Sequence, residues 1–163
     1  MSLSFIKVPE YDLTLSNNNV VKYRPFLIKE EKVLLMAVES RDEAEMNNAL
    51  INIVQSCTIS KVDVTKLPVY DFEYLWLNIR GKSVGEQIDL KLKCPDDDKQ
   101  TVDYSLKIED VKPNLNKKFE RKVEFDKDYG VIMKVPTIKH ISNKKTLLDL
   151  SYGLVRDCID QIY

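Results

Sequence analysis

Histidine, glycine and cysteine are all scarce in this chain: one, four and three among 163 residues. A single histidine, His140, excludes paired-imidazole metal sites, and no spacing identifies a base or nucleophile to work with it. No Gly-x-Ser-x-Gly sequence supplies an activated serine. The few glycines leave little material for a phosphate-cradling loop. Gly81-Lys82-Ser83 has the ending of such a loop, but Trp76 stands where its first glycine is needed. Cys57, Cys94 and Cys158 are odd in number and contain no Cys-x-x-Cys pair, which excludes a zinc ribbon and a disulfide framework and predicts reduced thiols. Long apolar runs are missing too. Nothing approaches the roughly 18 residues of a membrane span, and the segment Met1 to Pro9 lacks the long apolar run expected of a signal peptide. Synthesis and retention in a cytoplasm, or exit by a route that needs no signal, is the expectation.

Charge of one sign is also lacking. Lys and Arg number 25 against 26 Asp and Glu, a net charge of -1. Binding duplex nucleic acid through overall charge is therefore not expected. Lys112, Lys117, Lys118, Arg121 and Lys122 cluster, but with Phe119 as their one interleaved aromatic they read as a solvated strand and loop. Asp96-Asp97-Asp98 and Asp126-x-Asp128-x-Gly130 are short of the alternating ligands that a calcium loop requires. No catalytic residue, cofactor, metal ligand or small-molecule substrate is assigned.

What is present is material for a core: 44% hydrophobic and 31% charged residues, predicting one domain over residues 1–163. Tyr11, Leu13 and Leu15 alternate with polar residues, Ser16-Asn17-Asn18-Asn19 suits a turn, and Val20 to Arg24 returns as a second strand. Pro25 closes that strand. A helix is predicted from Phe26 to Ser40, with Glu30 and Glu31 near its positive end. Ser40-Arg-Asp-Glu43 has the form of a capping box. The next helix carries Met46, Ala49, Leu50, Ile53, Val54 and Cys57 on one stripe, which makes Cys57 a core residue. A third helix is expected from Pro68 to Arg80, with Gly81 as its C-terminal cap.

Alternation then resumes in Ile88, Leu90, Leu92 and Cys94, and again in Val102, Tyr104, Leu106 and Ile108. Two more strands are expected, Phe119 to Phe125 and Val131 to Val135. Trp76, Phe72, Leu75 and Ile79 should pack against the face bearing Ile88, Leu90 and Leu92. A final helix, about Thr146 to Tyr163, should carry two apolar stripes, Leu147–Leu150–Leu154–Cys158–Ile162 and Leu148–Val155–Ile159. Runs of helices and runs of strands make this an α+β protein: an N-terminal hairpin and helices, an antiparallel meander of about four strands, and a C-terminal helix. The final helix's apolar face is broader than one neighbour covers, so Leu148, Val155 and Ile159 are candidate partner contacts.

Two stretches are more specific. Val21 to Ala37 (VKYRPFLIKEEKVLLMA) and Leu67 to Glu86 (LPVYDFEYLWLNIRGKSVGE) resemble the two signatures of a baseplate hub protein family from T-even-type contractile-tailed bacteriophages. The second signature is a Leu-Pro-x-aromatic-Asp pattern running into Arg-x-x-Ser-x-Gly-Glu. The resemblance implies a non-enzymatic structural or assembly subunit of the central baseplate, a late protein made in the host cytoplasm and destined for the virion. It implies other baseplate hub proteins as partners, with no nucleic acid and no membrane insertion. The alternative is a transient assembly factor that does not stay in the virion. Some members have a second cysteine after the position of Cys94. Pro95-Asp96-Asp97-Asp98 follows here, so the resemblance brings no metal role to that turn.

Within these signatures Arg24 precedes the Pro25 corner, and Arg80, Ser83 and Glu86 surround a helix end. Arg24 and Arg80 either specify corners of the fold or belong to a docking surface. The chain is predicted to bind neither nucleoside triphosphate through Gly81-Lys82-Ser83 nor zinc through Cys94. Stoichiometric zinc in metal analysis, or a triphosphate-induced thermal shift abolished by Lys82→Ala, would refute this.

Overall fold

A computed structural model describes residues 7–96, 100–114, 120–142 and 149–163. The chain opens with an antiparallel hairpin of β1 (Tyr11–Thr14) and β2 (Val20–Tyr23), in the register Leu13↔Val21. Its turn places Asn18 in the left-handed region at φ 63°, a conformation asparagine tolerates better than most residues. Helices α1 (Ile28–Ser40), α2 (Glu43–Cys57) and α3 (Val69–Val84) follow. The reversal between α1 and α2 uses Arg41 at φ 56°. The cap of α2 is Asp42, whose carboxylate accepts the N–H groups of Ala44 and Glu45. Ser40, expected as that cap, instead donates its hydroxyl to the Ala37 carbonyl and finishes α1.

The core lies where the first hairpin, α2 and α3 converge. Val21, Tyr23, Ile53, Val54, Cys57, Phe72, Leu75 and Ile79 are buried there, joined by Val64 and Leu67 from the link before α3. The strands and stripes read from the sequence supply the hairpin, α2 and α3 members, except that Met46 is exposed; Val64 and Leu67 belong to no stripe read from it. Gly81 does not cap α3. The helix runs through it to Gly85, which takes φ 153° and donates its N–H to the Gly81 carbonyl. Gly81 is needed for a different reason: a Cβ there would lie 2.8 Å from Ile108 Cδ1.

The α+β class holds, but the strands after α3 form two units. β3 (Gln87–Lys93) pairs with β4 (Thr101–Lys107) as an isolated antiparallel ribbon. A 3-10 turn at Ile108–Asp110 and then Pro113, which cannot donate to a ladder, take the chain away from it. β5 (Lys122–Glu124), β6 (Gly130–Met133) and β7 (Ile159–Ile162) form a second sheet in that order. The start of the strand expected from Phe119 lies outside the described residues.

Trp76 finds its ring partner in Phe26, not in β3. It is half-buried and stacks on Phe26, with ring centroids 6.1 Å apart, while Leu90 and Leu92 are exposed. The long C-terminal helix is also replaced. After α4 (Ile138–Ser142) come a wide turn at Asp149–Gly153, the short α5 (Leu154–Asp157), and β7 on the edge of β6. β-Branched Ile159 and Ile162 suit a strand, and pairing with β6 satisfies their backbone. Leu147 and Leu148 lie outside the described residues.

Leu75→Ala should lower unfolding stability by about 2–5 kcal/mol, because Leu75 is fully buried. Leu92→Ala should change it by under about 0.5 kcal/mol in dilute protein. Urea titrations of both variants check that the core excludes the β3–β4 ribbon.

Candidate functional site

The two sequence signatures meet at the corner where β2 becomes α1. Pro25 has no N–H, so the corner's polar groups need other partners. The next N–H, of Phe26, donates to Ser83 Oγ at 2.9 Å, and that hydroxyl donates in turn to the Ile79 carbonyl. Phe26 lies on Trp76 beside this bond. One segment thus contributes the strand exit, and the other the last turns of α3.

Arg24 is the hub of the corner. Its guanidinium donates to the Pro25 carbonyl at 2.9 Å, to Glu30 Oε1 at 3.0 Å and to the Ser56 carbonyl at 3.2 Å. Its backbone N–H reaches the Cys57 carbonyl at 2.9 Å. The cation therefore sits at the negative end of α2. Glu30, buried in α1, accepts the Leu27 N–H with its other oxygen at 2.8 Å. Burial alone would raise its pKa. The Arg24 hydrogen bond, the Leu27 N–H and the nearby charges of Arg24 and Lys29 together hold it below the ordinary 4.5.

A second buried carboxylate, Asp71 in the first turn of α3, accepts the backbone N–H of Ser16 at 3.0 Å and its hydroxyl at 2.6 Å. It ties the β1–β2 turn to the helix. Lys82 pairs with Glu86 and lies 4.9 Å over the Tyr11 ring. The Glu86 hydrogen bond raises its pKa against a smaller opposing effect of burial. Gly81-Lys82-Ser83 thus lies inside a helix, with Lys82 and Ser83 both engaged. Burial raises the Cys57 thiol to about 11, away from thiolate reactivity. His140 Nδ1 accepts the Thr137 N–H at 3.1 Å, closing the first turn of α4.

Arg24 and Arg80 both flank this corner in sequence, but the structure shows different situations. Arg24 is spent on internal partners. Arg80 is half-buried, and its Nη1 is out of solvent without a hydrogen-bond partner. Val155 is exposed on α5, Ile159 is half-buried at the start of β7, and Leu148 lies outside the described residues. Val155 and Ile159 thus lie on a helix and a strand, not on one helical face. Sequence reasoning missed Glu30, Ser16 and Asp71 as partners, because nothing local announces a bond across 55 positions. It also missed open apolar surface on α1. Six consecutive apolar residues, Val33 to Val38, were the available signal, since one face of a helix cannot bury them all.

A cavity of about 180 Å³ between α2, α3 and α4 is lined by Leu50, Ile51, Phe72 and Ile138 with Glu73. It is smaller than ligand sites of roughly 300–1,000 Å³. Among the described residues no group of three metal-donor side chains forms, and no helix is long and apolar enough to cross a membrane. The family model described as T4 bacteriophage base plate protein matches residues 8–163. The chain belongs to that family, and so to the proteins of a phage baseplate. No curated protein and no solved structure matches it significantly.

The lowered Glu30 pKa fixes a pH dependence. Its stabilising contribution is complete above the ordinary value of 4.5 and is lost as pH falls through the lower folded value. Glu30→Gln should cost about 1.5–3 kcal/mol at pH 7, the worth of a charge-assisted hydrogen bond. The gap between variant and parent should close as the pH falls below 4.5. Denaturant midpoints measured across that range check it. A gap unchanged in acid would exclude Glu30 as the titrating group.

Proposed function

We propose that this chain is a non-enzymatic structural or assembly subunit of the central hub of the baseplate. The observation that carries the reading is the family match over residues 8–163. The use of the signature residues supports it. Arg24, Glu30, Asp71, Lys82 and Ser83 join elements to one another, and no acid–base or nucleophile pair is drawn from them. On this reading the chain acts through its surfaces. Its partners are other hub proteins, met in the host cytoplasm during late assembly, and Val155 with Ile159 contributes to a contact near the second sheet.

Mass spectrometry of purified phage particles tests the reading. A fixed copy number in tails and isolated baseplates is expected. Presence in assembly intermediates with absence from finished particles would replace it with a transient assembly factor.

A further inference from the structure

An open strand edge offers another strand a row of backbone donors and acceptors. β3 and β4 carry seven residues each, whereas the other strands carry three or four. They pair only with each other, so each has one open edge among the described residues. Two bonds fix which groups are open: Cys94 N–H to the Gln100 carbonyl, and Ile108 N–H to the Glu86 carbonyl. In an antiparallel pair the N–H and C=O of one residue point to the same side, and successive residues alternate. The even-numbered residues of β3 therefore face β4, and Gln87, Asp89, Lys91 and Lys93 present both groups outward. Every residue from Asp89 to Lys93 is exposed, so the body of the protein does not cover this edge.

The β3 edge is complementary to itself. Laid antiparallel to a second β3 about a two-fold axis through Leu90, it sets Asp89 opposite Lys91 and Gln87 opposite Lys93. Each of these pairs occurs twice, and each joins residues whose backbone groups point outward. On the other face Ile88 meets Leu92, and Leu90 meets its own copy. We propose that two copies of this chain associate by this pairing, joining their ribbons into one antiparallel sheet in the order β4-β3-β3-β4. A two-fold interface presents the same patch on both copies, so it requires self-complementarity of this kind. A two-stranded ribbon is marginal in water, and the joined sheet relieves that.

Charge selects this register over its neighbours. An axis through Asp89 would set Asp89 on its own copy, and an axis through Lys91 would do the same to Lys91. Like charges directly opposite one another oppose pairing. An axis between two residues would turn apolar side chains onto the charged face. The β4 edge is a poorer match. About Tyr104 it opposes Asp103 to Ser105 and Thr101 to Lys107, with no opposite charges, and about Ser105 it pairs only Asp103 to Lys107. Within its own ribbon Asp89 stands across from Ser105. Among the described residues neither Asp89 nor Lys91 has an ion pair. The second copy supplies the cation that Asp89 lacks. The apolar side chains of α1 and of the second sheet play no part, and the pairing holds whichever baseplate proteins the chain meets.

Sedimentation velocity of the full chain over a concentration series at low ionic strength tests the proposal. The expected species at high concentration has twice the 19.0 kDa chain mass. Asp89→Lys and Lys91→Asp should each weaken association by roughly 10-fold or more, with unchanged melting temperatures in dilute protein. Mixing the two variants should restore a dimer, because every carboxylate at these positions then faces an ammonium. The double variant should dimerise like the parent. Leu90→Cys in a Cys94→Ser background gives a reading independent of charge. Its two copies would have Cα atoms about 4.5 Å apart, within disulfide reach, so mild oxidation should cross-link it and leave Asp89→Cys uncoupled. Should a charge variant lower the melting temperature, the cross-link decides alone. A monomer at every concentration would overturn the proposal, as would a Leu90→Cys variant that fails to cross-link. So would a dimer indifferent to both charge reversals, or reversals that mixing does not rescue, the marks of a different surface.

Discussion

A chain that leaves a β-strand through proline and enters a helix three residues later must satisfy its corner from elsewhere. The Arg24–Glu30 pair meets that requirement here. The guanidinium closes the Ser56 carbonyl at the end of α2, and the carboxylate closes the Leu27 N–H at the start of α1. One ion pair thus serves both helix ends while the strand runs between them. The burial of Val21 and Tyr23 against Ile53, Val54 and Cys57 requires β2 to meet α2 at a fixed depth, and this pair sets it. Removing either partner would leave the other half-desolvated in the same place.

Asp71 works in the same way at the opposite end of the hairpin. Its carboxylate takes both donors of Ser16, so the β1–β2 turn is pinned to the first turn of α3, where the negative charge also suits the helix dipole. Buried carboxylates in a protein of this size invite a catalytic reading. Here each is saturated by partners that hold secondary structure in place. Among the described residues, exposed apolar side chains lie at the periphery: on α1, on the β3–β4 ribbon, on α5 and around the second sheet.

Legibility from sequence followed the range of the forces involved. The first hairpin, α2 and the start of α3 were readable because alternation, helical stripes and turn residues act within a few positions, and the core residues Ile53, Cys57, Leu75 and Ile79 came with them. Gly81 was misread because a glycine near a helix end suits a cap, and the demand that Ile108 places on it comes from 27 positions away. Trp76 went to the wrong neighbour because its partner, Phe26, belongs to another segment. The C-terminal segment has helical spacing in Leu154 and Cys158, yet Ile159 to Ile162 pairs with β6, since an edge strand offers more hydrogen bonds than a fraying helix end. The signature segments were legible as important, but their internal wiring was not.

The socket formed by Gly81 for Ile108 has a mechanical consequence. It seats the base of the β3–β4 ribbon against the helical body, beside the bond from Ile108 N–H to the Glu86 carbonyl. With an arm of about 23 Å, a swing of about 10° at that joint carries the far end of the ribbon through about 4 Å, roughly the spacing between neighbouring strands. A substitution that displaces Ile108 from this socket would therefore be felt most at the far end of the ribbon.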